Sequence, residues 1–117
     1  MQAILIFVVV LITALVITKQ LKEKKVSQGD YSSYGVTKES PIVIFSVQWC
    51  PACKALKSYL NTENVKYINL DVENNENATI LYKKTGKESY PVIIIADTMI
   101  VGFNKREIVN RINILKL

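Results

Sequence analysis

The chain has 117 residues, which is one domain alone or one domain with a tail. It carries two cysteines and no histidine. That excludes a Ser-His or Cys-His nucleophile pair and leaves one chain without the ligands to close a structural zinc site, so no metal site is expected. The net charge of +5 is spread along the chain, with five lysines against three acids in residues 1–40 and ten basic against seven acidic residues in 41–117. No arginine-rich stripe or aromatic ladder accompanies it, so nucleic acid is not an expected partner.

Ala3–Ile17 reads AILIFVVVLITALVI, interrupted only by Thr13. As a helix this run is about 22 Å long, against a hydrocarbon core of roughly 30 Å. Met1, Gln2 and Thr18 bring it near the lower limit for a span. No basic residue precedes it and no small-x-small cleavage site follows, which argues against a cleaved signal peptide. A single transmembrane anchor with its basic flank, residues 1–25, is the reading preferred over a buried core helix. Lys19, Lys22, Lys24 and Lys25 follow the run, and positive flanks stay inside. The expected location is therefore a single-pass membrane protein with its soluble domain facing the cytoplasm; the alternative is the periplasmic or extracytoplasmic face. Residues 26–40, polar and holding Gly29 and Gly35, read as a flexible linker.

Residues 41–117 alternate in pattern. Ile42–Phe45 is a short β-branched and aromatic run, hence a buried strand. Cys50–Leu60 has helical character, with Ala52, Leu56, Tyr59 and Leu60 near one face. Lys66–Leu70 is a second strand. Glu76–Lys84 is a helix started by the Asn74/Asn75 pair and stopped by Gly86. Pro91 opens the strand Val92–Ile95, and Asp97-Thr98 turns the chain into Met99–Val101. Asn104 caps a last helix, Glu107 completes a capping box, and Ile108, Ile112 and Leu115 form its buried stripe. The order is β-α-β-α-β-β-α: an α/β domain with a four-stranded mixed sheet and three helices, preceded by the membrane helix. The first two strands should be parallel through a right-handed crossover, and the last two an antiparallel hairpin.

Trp49-Cys50-Pro51-Ala52-Cys53 falls between the first strand and the first helix of that domain. A thiol at a helix start meets unpaired N–H groups and the positive end of the helix dipole. That placement lowers thiol pKa values and raises the thiolate, which is the nucleophile. Pro51 at the first helical position loses no hydrogen bond. Cys53 stands one turn deeper, within reach of Cys50. The implied chemistry is attack of Cys50 on a target disulfide, then attack of Cys53 on the mixed disulfide. A structural bridge or an accidental pair is the bland alternative. Pro91 can serve only at a strand start, and Gly102 either lets backbone approach closely or takes a positive φ.

These residues carry a resemblance. Trp49-Cys50-Pro51-Ala52-Cys53, Tyr90-Pro91-Val92 and Gly102-Phe103 make residues 41–117 resemble the glutaredoxin/thioredoxin superfamily, most of all the small glutaredoxin-like proteins of the NrdH-redoxin type. The resemblance implies a thioredoxin-like fold, a cis bond before Pro91, and a dithiol protein-disulfide reductase. Tyr90, Pro91 and Gly102 would bind substrate, and Trp49 and Pro51 would support the cysteines. No bound cofactor is implied. An external reductant is required, either a thioredoxin-reductase-type flavoenzyme or glutathione, and the partners would be that donor and disulfide-containing proteins. Glutathione-using relatives usually carry a basic residue before the first cysteine and Gly-Gly-acidic after the last strand. Here Ser46-Val47-Gln48 and Phe103-Asn104-Lys105 stand in those places. An exported reductase or isomerase, or a non-catalytic binding module at the membrane, are the alternative functions.

Overall fold

The computed structural model describes residues 2–20 and 25–117. The lysine-rich flank at Lys22 and Lys24 lies outside the described residues. Helix α1 spans Gln2–Gln20. Its side chains from Gln2 to Ala14 are exposed, and the Thr13 hydroxyl donates back to the carbonyls of Val9 and Val10. The expected transmembrane helix is corrected: among the described residues no helix is long and apolar enough to cross a membrane. The physical reason is length, since the continuous apolar run falls short of a roughly 30 Å hydrocarbon core.

The remaining elements are β1 (Val26–Gln28), a 3-10 turn (Ser32–Tyr34), β2 (Ile42–Ser46), α2 (Pro51–Thr62), β3 (Ile68–Asp71), α3 (Glu76–Thr85), β4 (Val92–Ile95), β5 (Thr98–Val101) and α4 (Lys105–Leu115). They build a mixed sheet in the order β1-β5-β4-β2-β3. Strand β2 pairs parallel with β3, and Val43 faces Ile68 across the pair. Strand β4 pairs antiparallel with both β2 and β5. The parallel crossover and the hairpin are as expected.

The strand count is not. Among the described residues the sheet has five strands rather than four, and there are four helices with α1 included. The fifth strand is β1, from the stretch read as linker, and it pairs antiparallel with β5 through Val26 opposite Ile100. Beyond it, Tyr31 and Tyr34 pack against buried residues of the domain. Edge pairing and two tyrosines give this polar stretch a fixed place, whereas composition alone predicts freedom.

Strands β2 and β4 are buried at every position. Both faces of the sheet are covered, which is why these strands read as continuous apolar runs. Alternation sends Ile42, Ile44, Ile93 and Ile95 to one face, where Leu56 and Leu60 of α2 and Ile108 and Ile112 of α4 meet them. Val43, Phe45, Val92 and Ile94 go to the other face, with Tyr82 of α3 and both cysteines. Leu115, expected in the buried stripe of α4, is 38% exposed. The capping box is also half made. Asn104 accepts from the Glu107 amide, but the Glu107 carboxylate binds Arg111 one turn on, at 3.1 Å.

Candidate active site

The site is built where β2 ends and α2 begins. Cys50 is the N-cap of α2 with extended backbone, and Pro51 is the first helical residue. Four amides at a helix start lack helical partners. One of them, the Cys53 N–H, points at the Cys50 sulfur, and Sγ accepts from it at 3.1 Å. The Cys50 carbonyl accepts the first helical bond from Lys54 at 3.2 Å. A cysteine thus occupies the position where serine or aspartate usually caps a helix, and its sulfur takes the cap's acceptor role.

The two thiols are free and differ in setting. Cys50 is 5% exposed, at the surface of the cluster, and Cys53 is fully buried behind it. Burial pushes the Cys53 thiol up to about 12. The hydrogen bond with Cys50 and the charge on that sulfur push in the same direction, and Lys57 opposes them. At neutral pH Cys53 is therefore a protonated thiol.

Trp49 precedes Cys50 and is 66% exposed, unusual for so large a ring. Its edge meets Tyr90 at 6.0 Å between centroids. The Tyr90-Pro91 bond is cis, as the resemblance implies. Tyr90 packs against the cluster that holds Cys50 and Cys53, so the structure brings Trp49, both cysteines and Tyr90 together. Gly102 joins them at one remove: its amide donates to the Pro91 carbonyl at 2.7 Å. Its φ is +86°, and a Cβ built there meets nothing within 4 Å. Of the two roles open to Gly102, backbone conformation is the one that applies. Phe103 turns away to the opposite face of the sheet and packs against Tyr59.

Two supports were not foreseen. The Gln48 amide donates to Asp71 at 3.3 Å, and Asp71 also accepts from the side chain of Asn74 and from two backbone amides of the β3–α3 turn. The Asn74 bond, first among these, holds the Asp71 carboxyl below its ordinary range. This network links the turn before the cysteines to the turn before α3. Tyr82 is the second. Its hydroxyl donates to the Ser89 carbonyl at 3.0 Å, and its ring stacks on Tyr90 at 4.7 Å. The sequence signal for Tyr82 is its position four residues after Ala78, on the buried face of α3; its link to residue 90 carries no local signature.

Comparison with known proteins follows from this geometry. The glutaredoxin family model matches residues 42–100, from the start of β2 into β5. A relative from Clostridium pasteurianum, described as an uncharacterized glutaredoxin-like 8.6 kDa protein in a rubredoxin operon, is 39% identical over 71 residues, covering 57% of this chain and 91% of that protein. A point mutant of the thioredoxin-like protein BC3987 superposes with a TM-score of 0.59 at 27% identity, over 63% of this chain and 96% of the other. NrdH-redoxin from Escherichia coli gives 0.54 at 23% identity, over 59% and 91% of the two chains. A glutaredoxin from Archaeoglobus fulgidus gives 0.57 at 20%, over 74% and 97%; these last two similarities show the fold. A family match over half of the chain, joined to a relative 39% identical and matched over 91% of its length, makes this chain a member of the glutaredoxin family.

Proposed function

We propose that the protein is a dithiol reductase of protein disulfides, with Cys50 as nucleophile and Cys53 as resolving thiol. The observation that carries this is the sulfur of Cys50 held as a helix N-cap by the Cys53 amide, with the Cys53 thiol buried directly behind it. The amide and the helix dipole stabilise negative charge on Cys50. Attack of the Cys50 thiolate on a target disulfide forms one S–S bond and breaks another, releasing a target thiolate. Before that step Cys53 is protonated and does not compete. Afterwards Cys50 is neutral in the mixed disulfide, so the two effects of Cys50 on Cys53 vanish and desolvation alone holds its proton. The departing target thiolate is a base for that proton. Cys53 then attacks Cys50, the second target sulfur leaves, and the domain is left with a Cys50–Cys53 disulfide. Two electrons and the Cys53 proton have passed to the target, whose second thiolate takes its proton from solvent.

An external dithiol must restore the reduced form. We assign that role to a thioredoxin-reductase-type flavoenzyme rather than glutathione. Support comes from Ser46-Val47-Gln48 before the cysteines and Phe103-Asn104-Lys105 after β5, which put no cation and no Gly-Gly-acidic turn where glutathione-using relatives have them. We place the work in the cytoplasm, where such donors keep thiols reduced. Labelling of Cys50 in whole cells by a membrane-impermeant alkylating reagent would instead put it on an outer face.

Insulin reduction, run separately with glutathione and with a thioredoxin reductase, tests the function. Turnover with the reductase and little with glutathione is expected. No turnover with either donor contradicts the assignment.

A further inference from the structure

We infer that Tyr82 is a positioning residue that holds Tyr90 and Trp49 as an angled aromatic ledge beside Cys50, and that this ledge selects protein disulfides with an aromatic or large aliphatic residue next to the reacting cysteine. The inference rests on the disulfide-reductase reading and deepens it.

Trp49 adjoins the nucleophile in sequence and leaves most of its ring in solvent. A flexible indole there would lose side-chain entropy on binding any target. This one is braced. Tyr90 meets it edge-on, with the two planes at 87°. Tyr90 is itself stacked on Tyr82, with planes only 18° apart. Tyr82 is 8% exposed. It is fixed from below by Phe45 at 6.1 Å and through its hydroxyl by the Ser89 carbonyl. That last bond ties α3 to the segment just before Tyr90. The exposed ring is therefore the end of a stack whose base lies in the core, and its ordering is complete before a target arrives.

The occupant follows from the position of the ledge. A disulfide that reacts at Cys50 must bring its flanking residues over Trp49 and Tyr90. Rings stack on or pack edge-on against aromatic and aliphatic side chains, and such pairs gain beyond buried area alone. A small polar flank leaves the indole in water and gains nothing from it.

The test uses the full-length chain, reduced beforehand, in single turnover, so that no electron donor is involved. Two disulfide peptides of equal length are compared, one with Phe and one with Ser beside the reacting cysteine. The wild-type chain should reduce the Phe peptide roughly three- to tenfold faster at low concentration, the difference lying in half-saturation rather than in maximal rate. Tyr82→Leu and Trp49→Ala should both bring the ratio toward one, and Tyr82→Phe, which keeps the stack, should retain it. Trp49 is at the surface, so its variant decides the matter if Tyr82→Leu fails to fold. Equal rates for the two peptides in the wild-type chain, or an unchanged ratio in the variants, overturn the inference while leaving the reductase reading standing. Failure of the wild-type chain to reduce either peptide overturns both.

Discussion

The two faces of the central sheet are made by the same strands and do different work. On one face Ile42, Ile44, Ile93, Ile95 and Ile100 meet Leu56, Leu60, Ile108 and Ile112. That face is aliphatic throughout its buried core. On the other, Val43, Phe45, Val92 and Ile94 meet Tyr82 and both cysteines, with Tyr31, Tyr34 and Tyr90 packed at the margin. Side chains that alternate along one strand thus supply adhesive to one side and a reactive site to the other. The difference shows that the chemistry is a local addition to a fold stabilised largely elsewhere, so stability and exchange should be separable by mutation.

The largest effect expected is loss of exchange without loss of fold. Cys50→Ser should lower disulfide reduction about a thousandfold or more, by analogy with removal of other enzymic nucleophiles, and should leave the melting temperature nearly unchanged. A Cys50→Ser protein that still reduces insulin would erase the distinction between the faces. The converse belongs to the aliphatic side. Leu56→Ala, at a fully buried position, should cost about 2–5 kcal/mol in denaturant unfolding. The protein that remains folded should still be alkylated at Cys50 at the wild-type rate. A slowed reaction in the folded fraction would mean that the two faces are coupled.

How much of this was legible in the sequence follows the same division. The aliphatic face was readable because β-branched runs and the Leu56/Leu60 and Ile108/Ile112 spacings are strong local patterns. Cys50 was readable because cysteine, proline and the strand-to-helix junction fall within a few residues. Strand β1 was not, since it has three residues and one apolar side chain; the open edge of β5, distant in sequence, decides it. Two tyrosines three apart in an otherwise polar stretch were the available sign that residues 31–34 pack. Strand β3 starts at Ile68 rather than Lys66 because pairing with β2 begins opposite Val43. The Tyr82–Tyr90 stack joins two elements across the fold, and no window of sequence contains it.

A smaller effect concerns pH. The Cys53 thiol is raised in the folded chain to about 12, above the ordinary thiol value of roughly 8.5 that holds when unfolded. Below the unfolded value both states are protonated and the contribution to stability is complete. Between the two values the unfolded state alone loses the proton, so stability falls as pH rises, by at most about 1.4 kcal/mol per pH unit for this one group. Denaturant melts of the reduced protein above pH 9 should show a steeper loss than those of Cys53→Ala. Parallel slopes would remove Cys53 from the balance.

The smallest effect sharpens the reactive face. Asn75 caps α3 by accepting from the Ala78 amide at 3.0 Å. Asn75→Ala should cost about 1 kcal/mol, read as a lowered midpoint with unchanged slope. Local opening of α3, followed by amide exchange, should increase in the variant while that of β2 and β4 tracks only the global change.

The division of labour between the two sulfurs is tested most directly by trapping. Incubated with a protein disulfide and mapped by mass spectrometry, Cys53→Ser should accumulate a mixed disulfide on Cys50, and Cys50→Ser should accumulate none on Cys53. A stable adduct on Cys53 in the second variant, or none on Cys50 in the first, would contradict the roles assigned here.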